Sequence, residues 1–157
     1  MSQRPIGAHA RITGGLATGG LRYAAAVGYS LRRAREIGAR GVVVHTGSAV
    51  AGDKDAALHR VCECLLPLLD AIGDDGPDLL LEPMAGQGQM LCAALPDLEP
   101  YLDALDWHPR AAVCLDTCHA FAAGHDLRRP HGAAAALHAR NDAGRADHSG
   151  GPSPGCS

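Results

Sequence analysis

The chain has 157 residues with a formal net charge of −3; 46% are hydrophobic and only 3% aromatic. That length suits one domain whose core rests on Leu, Val, Ile and Ala, and falls short of the roughly 250 residues of a complete eight-stranded α/β barrel. The charge leaves no polybasic nucleic-acid footprint, although bound divalent cations would add positive potential locally, and no apolar run is long enough to span a membrane.

In chain order, "PIGAH", ending at His9, reads as a short first strand. It is followed by "GVVVH" from Gly41 to His45, "DLLLE" from Asp78 to Glu82 and "AVCLD" from Ala112 to Asp116. Each of these three is a continuous apolar run closed by a metal-capable side chain, the pattern of a buried parallel strand. The closing residues His9, His45, Glu82 and Asp116 are 36, 37 and 34 positions apart, room for a strand, a loop and a helix. Between them Leu31, Ala34 and Ile37 form one helical face, with Gly38 as its stop. Leu58, Val61, Leu65, Leu69 and Ile72 form a second face, where Pro67 predicts a kink or an end. Leu98, Leu102 and Leu105 form a third. Gly47, Gly86, Gly88 and Gly124 follow the strand ends, where loops turn sharply. The predicted order is β-α-β-α-β-α-β with right-handed crossovers, which places functional residues at the carboxyl ends of the strands. Beyond Leu127 the segment "ARNDAGRADHSGGPSPGCS" offers no large aliphatic residue. The expected division is therefore an α/β domain over 1–128 and a disordered tail over 129–157.

The N-terminal "MSQRPIGAHARITGGL" lacks the charged and apolar regions of a secretory signal. The expectation is a cytoplasmic location with reduced thiols. Cys62, Cys64, Cys92, Cys114, Cys118 and Cys156 form no regular disulfide framework. "CLDTCH" is CxxxCH, one residue too long for haem attachment and unlike a CxxC redox pair. Cys114 and Cys118 are expected as unlinked thiols, Cys114 buried in its strand and Cys118 at the mouth of the site.

His45, Glu82 and Asp116, delivered by three neighbouring strands, would converge on one patch, and His119 follows Asp116 by three positions. Imidazoles and carboxylates suit zinc, manganese or iron, and a carboxylate can bridge two cations. Such sites activate water and hold the oxygens of a phosphodiester. Each residue also has a plainer use: a loop histidine, a solvated strand terminus at Glu82, a helix cap at Asp116. The joint occurrence at three successive strand ends is what favours a metal site.

"LLLEPMAGQG" (Leu79 to Gly88), "VVVHTGS" (Val42 to Ser48) and "VCLDTCHAFAAGHDL" (Val113 to Leu127) resemble signature segments of the endonuclease IV family. These are the zinc-dependent apurinic/apyrimidinic endonucleases, also called deoxyribonuclease IV. "IGAHARITGGL" (Ile6 to Leu16) is similar to the family's first strand and following loop. The resemblance covers roughly Ile6 to Leu127. It implies a TIM barrel with three zinc ions at its carboxyl face. By position, His45 would ligate one zinc, Glu82 would bridge it to a second, Asp116 would ligate the second and His119 the third. Glu82 and Asp116 would thereby carry the catalysis. It further implies incision of double-stranded DNA 5′ to an abasic site, leaving a 3′-hydroxyl and a 5′-deoxyribose phosphate, with no obligate protein partner. Arg11 and Gly14 would lie on a loop approaching the DNA.

The chain departs from the family pattern in two places. "LRYAAAVG" runs into "YSLRRAREIG", so the front of a first helix is joined near Gly28 and Tyr29 to the back of a third. Near the end, His138 stands three residues before Asn141 instead of two, and Asp147 and His148 are adjacent rather than spaced. His138 is thus only a weak match to a ligand. The expectation is a partial TIM barrel of about four parallel strands, an internally deleted and truncated copy holding fewer than three zincs. Two other readings compete: a sugar isomerase or epimerase of the xylose-isomerase-like barrels, and a non-catalytic remnant. An isomerase would offer a catalytic lysine or a further Glu, whereas Lys54 is far in sequence from any strand end.

Overall fold

The computed structural model describes residues 8–9, 16–49, 53–84 and 89–124. Four strands, β1 (Ala8–His9), β2 (Gly41–His45), β3 (Asp78–Glu82) and β4 (Ala111–Val113), form one parallel sheet in the order β1-β2-β3-β4. The helices α1 (Leu16–Glu36), α2 (Lys54–Ile72) and α3 (Leu98–Ala104) occupy the crossovers, and α4 (Thr117–Ala122) follows β4. A 3₁₀ turn at Leu95–Asp97 leads into α3. This is the βα alternation expected from the spacing, with β2 and β3 at the expected bounds. The boundary between domain and tail, and Gly86 and Gly88, lie outside the described residues.

Alternation along each strand separates two faces. Val42, Val44, Leu79, Leu81 and Ala111 point toward the helices and are fully buried. They meet Tyr23, Val27, Leu31 and Ala34 of α1, Val61, Leu65 and Leu69 of α2, and Leu98, Tyr101 and Leu102 of α3 in one core. The opposite face carries Val43, Leu80, His45 and Glu82, so the two candidate ligands share a face by parity.

Three local expectations change. α1 ends in a Schellman arrangement, Gly38 N bonding Arg35 O at 3.1 Å and Ala39 N bonding Ala34 O at 2.8 Å, with Gly38 at φ +68°. That stop rotates Ile37 off the buried stripe, and it is 61% exposed. Pro67 neither kinks nor ends α2, which runs on to Ile72 with the proline on its exposed side. The fourth strand stops at Val113, so Asp116 lies beyond it and caps α4 instead. The short polar carboxylate accepts amide hydrogens that the strand could not supply. At the proposed join α1 is continuous through Gly28, where an added Cβ would stand 3.3 Å from Leu68 of α2.

Gly41 opens β2 against β3, and a Cβ there would fall 2.8 Å from Asp78 O and 2.9 Å from the Leu80 side chain. Gly41→Ala is expected to lower stability by about 1–3 kcal/mol, the usual cost of overpacking. Equilibrium urea unfolding checks it, and an unchanged midpoint would contradict the close pairing of β2 and β3.

Candidate metal centre

β2 and β3 pair in register along all five residues, so His45 stands beside Glu82 at their carboxyl ends. The loops that follow are tied together. Ala49 N bonds Gln89 O at 2.8 Å, Leu91 N bonds Gly47 O at 3.0 Å, and Met84 N bonds Cys92 O at 2.9 Å. Gly47, at φ +81°, makes the turn that brings the first loop across. The carboxyl ends of β2 and β3 are thereby held at the backbone.

Asp116 is the N-cap of α4: its Oδ1 accepts from Cys118 N at 2.7 Å and from His119 N at 3.1 Å. The cap winds the first turn so that His119, three residues on, returns to the same rim. Donor atoms of Glu82, Asp116 and His119 lie within 4.8 Å of one another. Glu82 sits at the centre, its side chain only 5% exposed, with Oε2 3.5 Å from His45 Nε2 and Oε1 3.3 Å from His119 Nδ1. The two imidazoles meet edge to face, centroids 6.1 Å apart. His119 Nδ1 also lies 3.2 Å from the Pro83 carbonyl. A proton on that nitrogen donates to the carbonyl and keeps Nε2 basic.

Cys114 and Cys118 are free thiols, with no bond between them. Cys118 is exposed. Cys114 is half-buried rather than buried, because β4 has already ended. Burial first, then the negative charges of Glu82 and Asp116, pushes the Cys114 thiol above its ordinary value. Cys64 and Cys92 are free as well. Arg11, Gly14 and His138 lie outside the described residues. Tyr23 was not singled out by the sequence, yet its hydroxyl donates to His45 O at 3.1 Å. The available signal was one hydroxyl in the apolar stripe of Tyr23, Val27, Leu31 and Ala34 on α1.

The donor set fits a divalent cation. Among the described residues, the polar side chains that face the buried Glu82 carboxylate are the imidazoles of His45 and His119, themselves metal-ligand types. Two carboxylates and two histidines at one rim are the donor types that zinc takes.

A model of the xylose isomerase-like TIM barrel family matches residues 22–148. The chain is 62% identical over 106 residues to the probable endonuclease 4 of Streptomyces avermitilis, covering 66% of this chain and 34% of that protein. Its backbone is similar to the crystal structure of endonuclease IV from Thermus thermophilus, with TM-score 0.55 and 28% identity, over 75% of this chain and 41% of that one. The probable 3-DHS dehydratase AsbF of Bacillus anthracis shares the fold, with TM-score 0.64 and 15% identity, over 85% of this chain and 47% of that one. The chain thus spans about a third of the length of the curated relative (34%). It belongs to the xylose isomerase-like TIM barrel family, and within that family it resembles the endonuclease IV proteins.

Proposed function

We propose that the chain is a zinc-dependent AP endonuclease unit, hydrolysing the phosphodiester 5′ to an abasic site in duplex DNA. The products are a 3′-hydroxyl and a 5′-deoxyribose phosphate. The observation that carries this is the buried Glu82 carboxylate, which turns one oxygen to His45 and the other to His119 while Asp116 closes the cluster. His45, Glu82, Asp116 and His119 are the residues that would hold zinc. The metal, when bound, supplies Lewis acidity and an activated water for attack on a phosphodiester.

The residues divide the work. Glu82 serves both sides of the cluster through its two oxygens. Asp116 supplies one donor and, through its Oδ1 cap, orients His119. The Pro83 carbonyl holds the His119 ring. The whole constellation sits at the carboxyl rim, where TIM-barrel enzymes do their chemistry. The one lysine, Lys54, is exposed and pairs with Asp97 at 3.6 Å rather than with the cluster, which disfavours the sugar-isomerase reading. Among the described residues no helix is long and apolar enough to cross a membrane, and a cytoplasmic setting suits the proposed substrate.

With excess zinc and a duplex carrying one abasic site, incision should run on the order of 100-fold or more below a full-length relative, because the described rim offers few donors per cation. It should vanish in Glu82→Gln. A rate near that of the relative would refute the expected deficit. Nicking that persists unchanged in Glu82→Gln would refute the site itself.

Asp116 allows cap and ligand to be separated. Asp116→Asn keeps an oxygen for the two amides, so the unfolding midpoint should hold while zinc affinity, read by titration, falls about 10-fold or more. Asp116→Ala should lose both, the cap alone costing roughly 1 kcal/mol. Equal zinc affinity in wild type and Asp116→Asn would remove Asp116 from the ligand set.

A further inference from the structure

We infer that Tyr23 is a positioning residue for the metal centre: its phenolic hydroxyl, donated to the His45 carbonyl, fixes the strand end from which the His45 imidazole reaches Glu82. The inference rests on the proposed reading of the cluster as a cation site. It concerns a core side chain outside the proposed donor set.

Tyr23 lies on α1, is 3% exposed, and packs in the core with Val27 and Leu31. The His45 carbonyl at 3.1 Å satisfies this hydroxyl, as partners satisfy most buried polar groups. Burial raises the phenol to about 12, so it remains a donor throughout the range in which histidines change charge. The His45 ring meets His119 edge to face, and its polar contact among the described residues is a long one. Nε2 stands 3.5 Å from Glu82 Oε2, the outer limit of a hydrogen bond, so ring placement follows the backbone. Glu82 fixes that backbone laterally through the β2–β3 register, and the Gly47–Leu91 bond fixes the loop beyond. The Tyr23 bond fixes it toward the helix layer.

The same core holds an internal control. Tyr101 is fully buried beside Tyr23 and Cys92, and among the described residues its hydroxyl has no hydrogen-bond partner. Removing that hydroxyl deletes an equal polar group from the same layer without touching a candidate ligand.

The test compares the full chain with Tyr23→Phe, Tyr101→Phe and Glu82→Gln. Cobalt(II) titration, followed by its visible absorption, gives affinity and ligand geometry. Histidine ring resonances of the metal-free protein report the His45 environment directly. Urea unfolding of the metal-free proteins gives stability separately. Tyr23→Phe should shift the His45 ring resonances, weaken cobalt binding about 10-fold and alter the spectrum. Tyr101→Phe should do none of these, whatever its effect on the unfolding midpoint. Binding by wild type that Glu82→Gln abolishes supports the cation reading; if Tyr23→Phe then binds like wild type, the positioning role is overturned while the cation reading stands. If wild type takes up no cobalt, the cation reading fails, and the His45 resonances alone decide the Tyr23 contact: no shift beyond that in Tyr101→Phe overturns it. Should Tyr23→Phe not fold, the wild-type protein decides. A slowly exchanging Tyr23 hydroxyl proton close to His45 supports the bond, and a hydroxyl exchanging freely with water overturns it.

Discussion

The in-register pairing of β2 with β3 is the constraint from which the site follows. Gly41 opposite Asp78 and His45 opposite Glu82 are the two ends of one five-residue ladder. A slip of one residue would turn Glu82 toward the helices and bury its charge beside Val44 and the apolar side chains of the helix layer. Gly41 helps to set the register, since its missing Cβ lets the Asp78 carbonyl and the Leu80 side chain come close. The loops inherit the alignment: Ser48 bridges Met90 in antiparallel fashion directly above the paired strand ends. Specificity of pairing and placement of donors are thus one property of the sheet.

The electrostatics at the rim run in one direction. Among the described residues Glu82 is paired with imidazoles, and Asp116 spends one oxygen on backbone amides. The Cys114 thiol, raised first by burial, is raised further by the negative charge of both carboxylates. Elsewhere the protein uses ordinary compensation, as where Arg110 meets Asp78 at 3.2 Å near the opposite ends of the strands. The contrast separates a carboxylate paired with a guanidinium, Asp78, from one set between two imidazoles, Glu82.

Much of this was legible in the residues. Runs such as GVVVH and DLLLE have no alternation and no helical period, so their strand bounds were fixed by the residues themselves. The buried faces of α2 and α3 followed from spacings of three and four. The misreadings have local causes. Pro67 points outward, where a lost amide bond is tolerated by a helix anchored through Val61, Leu65 and Leu69. Ile37 continues the period of α1, but Gly38 stops the helix and the period no longer applies. The apolar residues before Asp116 suggest a strand end, whereas its bonds to two following amides belong to a helix. Tyr23 was invisible for a different reason: its partner is a carbonyl 22 residues away, which no sequence period encodes.

α4 has only six residues, and a helix that short is not stable on its own. It nevertheless carries half of the cluster, Asp116 as its cap and His119 in its first turn, while His45 and Glu82 belong to strands. The site is therefore preorganised on one side and assembled on the other. Apparent affinity equals intrinsic affinity multiplied by the fraction of molecules in which α4 is wound. Any cation held by all four donors must in turn favour the wound form. Occupancy of the rim and winding of this short helix are, in thermodynamic terms, a single linked equilibrium.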